Sequence, residues 1–328
     1  MAQQSNKEGP FVIGVDAGTE SLRAGVFDLQ GNPLAFSSTA YQTTFPKPGW
    51  AEQNPQDWWE ALGKSVKNSI SEAGISSSAV AAICLDTTCC SVVALDENGD
   101  PLRPCLIWMD LRSAPQTEKV LATGDKALRV NSNGQGPVSA EWMIPKSLWI
   151  KENEPDLFEK AATICEFQDY MNLHLTGRKC ASINNVSARW HYDRSQGGIP
   201  ETMLEKLGLG DLSEKWPGDV LDLGETIGGL TPKAAEHLGL PKELPVIQGG
   251  ADAFIGMVGL GVVKPGSLAF ITGSSHLQLG LSDKAFNGTG VWGTYCDALL
   301  PGIYAVEGGQ TSTGSVVNWL KKLYGVED

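Results

Sequence analysis

The sequence predicts an α/β protein that opens on a β-hairpin and later repeats that opening. Residues 11–15, 22–28 and 33–40 are short apolar runs separated by Gly-bearing turns, a pattern of consecutive strands. The stretch from Asn54 to Gly74 then has the start and stop of a helix, and "VAAICLDTTCCSVVALDENGDPL" returns to strand. Strands, helix and strand in that order make an α/β domain. After Pro265, "GSLAFITGSSHLQLGLS" restates the apolar run, turn and apolar run of residues 11–28. Two such hairpins at the heads of successive segments point to a duplicated fold.

The chain has 328 residues, 41% hydrophobic and 19% charged, which suits a globular protein of two domains or of one large domain and part of another. Its formal net charge of −13 excludes non-specific binding to nucleic acid or to anionic lipid. A small anionic ligand stays open, because backbone amides and one Mg²⁺ outweigh the global field locally. Seven cysteines form no CxxC pair and read as reduced core thiols. The adjacent Cys89 and Cys90 suggest either a redox or metal site, or strand alternation that sends one thiol to the core and one to a cleft. Four scattered histidines and no HExxH argue against a zinc site. The polar start "MAQQSNKEGP" lacks a signal region, and no apolar run reaches membrane-spanning length, so the expected compartment is the cytoplasm.

Each later element has a local cause. Asn54 caps the helix of "NPQDWWEALGKSVKNSISEAG", Pro55 suits its first position, Asp57 favours its dipole and Gly74 stops it. Residues 140–160 are helical on both sides of the Asn153-Glu154-Pro155 break, and "FQDYMNLHLTG" is a helix closed by Gly177. A further helical stretch lies near 200–207, and Thr231 caps "TPKAAEHLGL". "LPVIQGGADAFIGMVGLG" is a buried strand running through glycines into a small-residue helix.

A hairpin that grips phosphate needs glycine for close backbone approach, hydroxyls and amides for phosphate oxygens, and a carboxylate for Mg²⁺ or its waters. The first hairpin supplies Asp16, Gly18, Thr19 and Ser21; the second supplies Thr272, Gly273, Ser274 and Ser275. Each fits a plain turn equally, but two facing one cleft would make a grip. Asp252 follows a buried strand, where open α/β sheets place ligands, and suits either a general base or a helix cap. Glu307 is an acid at a strand end, and Arg189 suits either a polyhydroxy ligand or the surface. Asp86, Thr87 and Thr88 suit a sugar contact or an ordinary strand end. Trp108, Asp110 and Arg112 alternate as in a strand or extended loop, with Asp110 and Arg112 as a structural pair.

Several segments together resemble the FGGY carbohydrate kinases of the actin and hexokinase superfamily. They are "GVDAGTESLRAGVFD", "GWAEQNPQDWW", "LDTTCCSVVALD", "IWMDLRS", "PKSLWIKEN", "GGADAFIGMVGLG", "ITGSSH" and "EGGQTSTGS", in the family's order over residues 11 to about 320. "DTTCCSVV" and "EGGQ" are closest to the ribulokinase-like, pentulose-phosphorylating branch. Ser147 departs from the pattern, standing where the family usually has an apolar residue.

The resemblance implies a duplicated actin/hexokinase-like (ribonuclease H-like) fold. Residues 1–262 would form the sugar- and phosphate-binding first domain, and residues 263–328 the opening part of a nucleotide-binding second domain. It further implies ATP and Mg²⁺, and a ketopentose or related polyol in the cleft. Asp252 would be the general base on the attacking hydroxyl. Asp16 would organise Mg²⁺, directly or through water, and with Gly18, Thr19 and Ser21 the phosphates. Thr272, Gly273 and Ser274 would hold the phosphate tail from the other side. Arg189 and Glu307 match sugar-contacting positions, with Asp86, Thr87, Thr88 and Cys89 as another wall. Family members run well beyond residue 328, so the second domain is expected to be partial, with its apolar faces exposed. A homodimer or a partner chain that covers it follows as an expectation. So does the alternative of a non-catalytic sugar binder.

Overall fold

The computed structural model describes residues 9–273, 275–310 and 312–325. Its first sheet has six strands in the order Thr226–Gly229, Pro245–Ile247, Val80–Thr87, Phe11–Ala17, Ser21–Asp28 and Pro33–Ala40. Phe11, Ile13, Val15 and Ala17 are buried and the residues between them are not, the two-residue period of a half-covered strand. Val80–Thr87 pairs in parallel with the opening strand, in a register that sets Asp16 against Asp86. The helix Pro55–Ala73 covers one face of this sheet. The Asn54 side chain accepts from the Gln56 amide at 3.2 Å, and Gly74 closes the helix at φ 66°. Trp58, Leu62, Val66 and Ile70 bury its inner stripe, and Trp58 stacks on Phe167 with ring centroids 3.6 Å apart.

A four-stranded sheet of Glu52–Gln53, Cys105–Leu106, Val92–Leu95 and Thr163–Glu166 builds a second apolar core with the helix Met143–Asn153. Here Asp110 and Arg112 form a fully buried pair at 2.7 Å, the structural role expected of them, within a turn rather than a strand. The last sheet is antiparallel, in the order Leu268–Thr272, His276–Ser282, Tyr304–Gln310 and Trp292–Cys296. The helix Gly314–Leu323 follows it, with Val317, Trp319 and Leu323 exposed. A smaller core containing Cys90, Trp142, Ala188, Phe254, Leu279 and Tyr295 joins this sheet to the rest. No helix among the described residues is long and apolar enough to cross a membrane.

The strand Pro245–Ile247 lies beside Val80–Thr87 so closely that glycine is required where it ends. A Cβ at Gly249 would overlap the Leu85 carbonyl oxygen, a backbone atom held in the sheet. Gly249→Ala is therefore expected to cost about 3 kcal/mol, the upper part of the overpacking range. Urea unfolding checks this, and a midpoint unchanged from the parent would overturn it.

Candidate active site

The first and last sheets wall a cavity of about 760 Å³, of the size that takes a small ligand. Its lining includes Asp16, Gly18 and Thr19 from the first hairpin and Asp86, Thr88 and Cys89 from the end of Val80–Thr87 and its loop. Asp252 reaches it from a helix start, Arg189 from the end of the helix Ile183–Arg189, and Thr272, Gly273 and Glu307 from the last sheet. The two hairpin turns thus face one space. Two of the expected residues do not line it. Ser21 begins the second strand, where its carbonyl accepts the Gly18 amide at 3.1 Å and closes the turn. Thr87 is fully buried, its side chain turned onto the Thr88 carbonyl, because strand alternation points it away from the face that carries Asp86. Ser274 lies outside the described residues.

The first turn is fixed on several sides. The Tyr41 hydroxyl donates to the Gly18 carbonyl, Gln53 Nε2 donates to the Thr19 carbonyl at 2.7 Å, and Trp108 Nε1 donates to Thr19 Oγ1 at 2.9 Å. Trp108 therefore belongs to the site, a role its place beside a structural Asp-Arg pair concealed. The Asp16 carboxylate meets Arg23 at 2.7 Å, an exposed pair of low strength.

Asp252 is the first residue of the helix Asp252–Gly259; the cap position belongs to Ala251, so the capping role does not hold. Its Oδ1 accepts the adjacent Ala253 amide at 2.7 Å. Burial, opposed by that amide bond and reinforced by Asp16, raises its carboxyl to about 6. Asp86 is raised further, to about 8, by burial and then by the charges of Asp16 and Asp252.

Arg189 and Glu307 form a bidentate pair at 2.7 and 2.9 Å across the two lobes, both buried. The Tyr295 hydroxyl donates to Glu307 Oε2 at 3.1 Å. Glu307 sits within Tyr304–Gln310 rather than at its end. Sequence reasoning also missed Glu141, whose carboxyl lines the cavity and is raised by burial. Nothing local in "SAEWMIPK" marks it, since only tertiary packing turns it inward.

A raised carboxyl has a signature in stability. Asp86 in the folded chain keeps a proton that the unfolded chain releases near the ordinary 3.8, so its contribution favours folding at low pH and is lost as pH climbs through about 8. Asp86→Asn is expected to flatten the fall of Tm over that window. Parallel Tm curves for the variant and the parent would remove the assignment.

An α/β molecule with two glycine-bearing hairpins turned onto one acidic cleft has the actin/hexokinase-like fold of sugar kinases. The chain belongs to the FGGY family of carbohydrate kinases, whose N-terminal domain model matches residues 11–259. It is 32% identical over 342 residues to a ribulokinase of Shouchella clausii (strain KSM-K16), covering 95% of this chain and 60% of that protein. It is 30% identical over 345 residues to an FGGY carbohydrate kinase domain-containing protein of Xenopus laevis, covering 96% and 61%. Its structure superposes on a xylulose kinase from Rhodospirillum rubrum with a TM-score of 0.82 and 28% identity, covering 95% of this chain and 64% of the other. The chain therefore spans about 60% of the length of the curated relatives it matches.

Proposed function

We propose that this chain carries the sugar site and the first phosphate grip of an ATP-dependent kinase acting on a ketopentose, ribulose-like, or a related polyol. In this reading residues 1–262 hold the sugar, and residues 263–328 begin the nucleotide side. The observation that carries it is the placement of Asp252, a carboxyl raised to about 6, in one cavity with the turns of both hairpins. At neutral pH such a group is largely ionised and able to take a proton. The sugar hydroxyl gives its proton to Asp252, its oxygen attacks the γ-phosphorus of ATP, and ADP leaves. Arg189, Glu307, Asp86, Thr88 and Cys89 hold the polyol, while the hydroxyls of Thr19 and Thr272 and the side-chain-free backbone at Gly18 and Gly273 face the phosphates.

Mg²⁺ fits the donor set. Among the described residues no group of three or more His, Cys, Asp or Glu side chains is arranged to hold a metal. Mg²⁺ commonly needs only one or two carboxylates beside substrate phosphates, and Asp16, directly or through water, supplies that. When bound, it neutralises charge on the transferring phosphoryl group.

A calorimetric titration with ribulose, xylulose and shorter polyols, alongside ADP release from MgATP, tests the reading. Binding of one polyol and ADP release that depends on it support the kinase. Absence of polyol binding by folded chain overturns it. A second reading, a sugar-binding chain completed by a partner, is favoured by the exposed Val317, Trp319 and Leu323. It predicts polyol binding with ADP release only after the partner is added.

A further inference from the structure

Cys89 and Cys90 are consecutive, yet their Sγ atoms lie 3.8 Å apart. In an extended strand the two side chains would point to opposite faces. The expected alternation fails because the strand ends at Thr87 and Cys90 adopts φ 62°, the left-handed region that costs a non-glycine residue energy. The surroundings over-determine that conformation. Glu166 Oε2 accepts the Cys90 amide at 2.9 Å, and its other oxygen accepts Trp190 Nε1 at 2.8 Å. The fully buried Lys146 donates to the Cys90 carbonyl at 2.6 Å, and to those of Leu106 and Ile107 at 3.2 and 2.7 Å. Residue 90 is thus clamped at both its amide and its carbonyl. Both residues line the cavity that also holds Arg189 and Asp252.

We propose that Cys89 and Cys90 form a preorganised dithiol site for trivalent arsenic in the wall of the cleft. An organoarsenic(III) oxide condenses with the pair. Two S–H bonds break, two As–S bonds form, and the oxide oxygen leaves with both protons as water. Arsenic stays trivalent and nothing is oxidised or reduced. The clamped backbone holds the two sulfurs together before the reagent arrives, which lowers the ordering cost of two-point attachment. Burial keeps the Cys90 thiol protonated well above its ordinary range, so condensation of the thiol suits it better than alkylation of a thiolate. An adduct here takes up space in the cavity that Arg189 and Asp252 also line, and so excludes a polyol. That competition rests on the function proposed above; the adduct itself does not.

Native mass spectrometry of the chain titrated with phenylarsine oxide tests the site. The expected result is a stoichiometric adduct, reversed by a small dithiol and resistant to a matched monothiol. Cys89→Ser and Cys90→Ser each reduce two-point to one-point attachment and should weaken the adduct by about 10²–10⁴-fold. Cys84→Ser and Cys296→Ser, which alter the other half-buried thiols, should leave it intact. If Cys90→Ser fails to fold, Cys89→Ser, which alters the thiol outside the core, decides the matter. An adduct that persists undiminished in Cys89→Ser, or vanishes in Cys84→Ser, overturns the proposal. Ribulose, with its binding measured separately by calorimetry, should slow adduct formation. An unchanged rate at saturating sugar overturns the competition while the mass result still stands.

Discussion

Asp252→Ala is expected to lower ADP release by about 10²–10⁴-fold, the range for loss of a positioned general base. Polyol affinity, read by calorimetry, should change far less, because on the proposed function Arg189, Glu307, Asp86, Thr88 and Cys89 still hold the sugar. The pH profile carries the same assignment. Burial raises the Asp252 carboxyl to about 6, and only its ionised form accepts a proton, so the rate should rise with pH through about 6 and level off above. Asp252→Ala should lose that rise along with the rate. Turnover near the parent level in the variant, or a profile flat through 6 in the parent, would remove Asp252 as the base.

Glu307→Ala should destabilise the fold by about 3–5 kcal/mol, the cost of stranding one member of a buried ion pair. The guanidinium of Arg189 would remain inside without its carboxylate, keeping hydrogen bonds to the Ala188 carbonyl and the Tyr295 hydroxyl. Replacing both members with apolar residues, Arg189→Met with Glu307→Leu, should recover much of the loss, since isosteric apolar pairs often match a buried salt bridge in stability. Polyol binding should not recover in the double variant, which separates the stabilising role of the pair from its role toward ligand. A single-variant loss below about 1 kcal/mol would mean that the pair behaves like an exposed one.

These two predictions differ in how far the sequence foreshadowed them. The hairpins and the placement of Asp252 were legible because their causes are local. Alternating apolar residues make the strands, glycines make the turns, and a strand running through Gly249 and Gly250 into a helix sets Asp252 at the rim. The burial of Arg189 was not legible. A seven-residue helix ending in arginine looks like surface, and the partner that neutralises it lies 118 positions later. The register that sets Asp16 beside Asp86 is likewise a long-range pairing; burial first, and then the Asp16 charge it brings close, raise the Asp86 carboxyl in a way no local pattern announces. Thr87 was misjudged because the polarity of "DTT" hides the alternation that turns its middle residue inward. The reversal at Cys90 was hidden for a related reason: it is imposed by Glu166 and Lys146, both remote in the chain.

The two sheets that wall the cleft also differ in how they meet water. Val80–Thr87 has a hydrogen-bonded neighbour on each side and carries the buried Ile83 and Leu85, whereas Leu268–Thr272 is, among the described residues, an edge strand with Leu268 and Phe270 exposed. In deuterated solvent the amides of the edge strand should therefore exchange early and those of Val80–Thr87 last, because opening the central strand takes nearly the whole unfolding free energy. The cleft thus has one slow wall and one fast wall. Deuterium uptake resolved by segment would time each lobe's opening separately and show on which side the pocket loosens first.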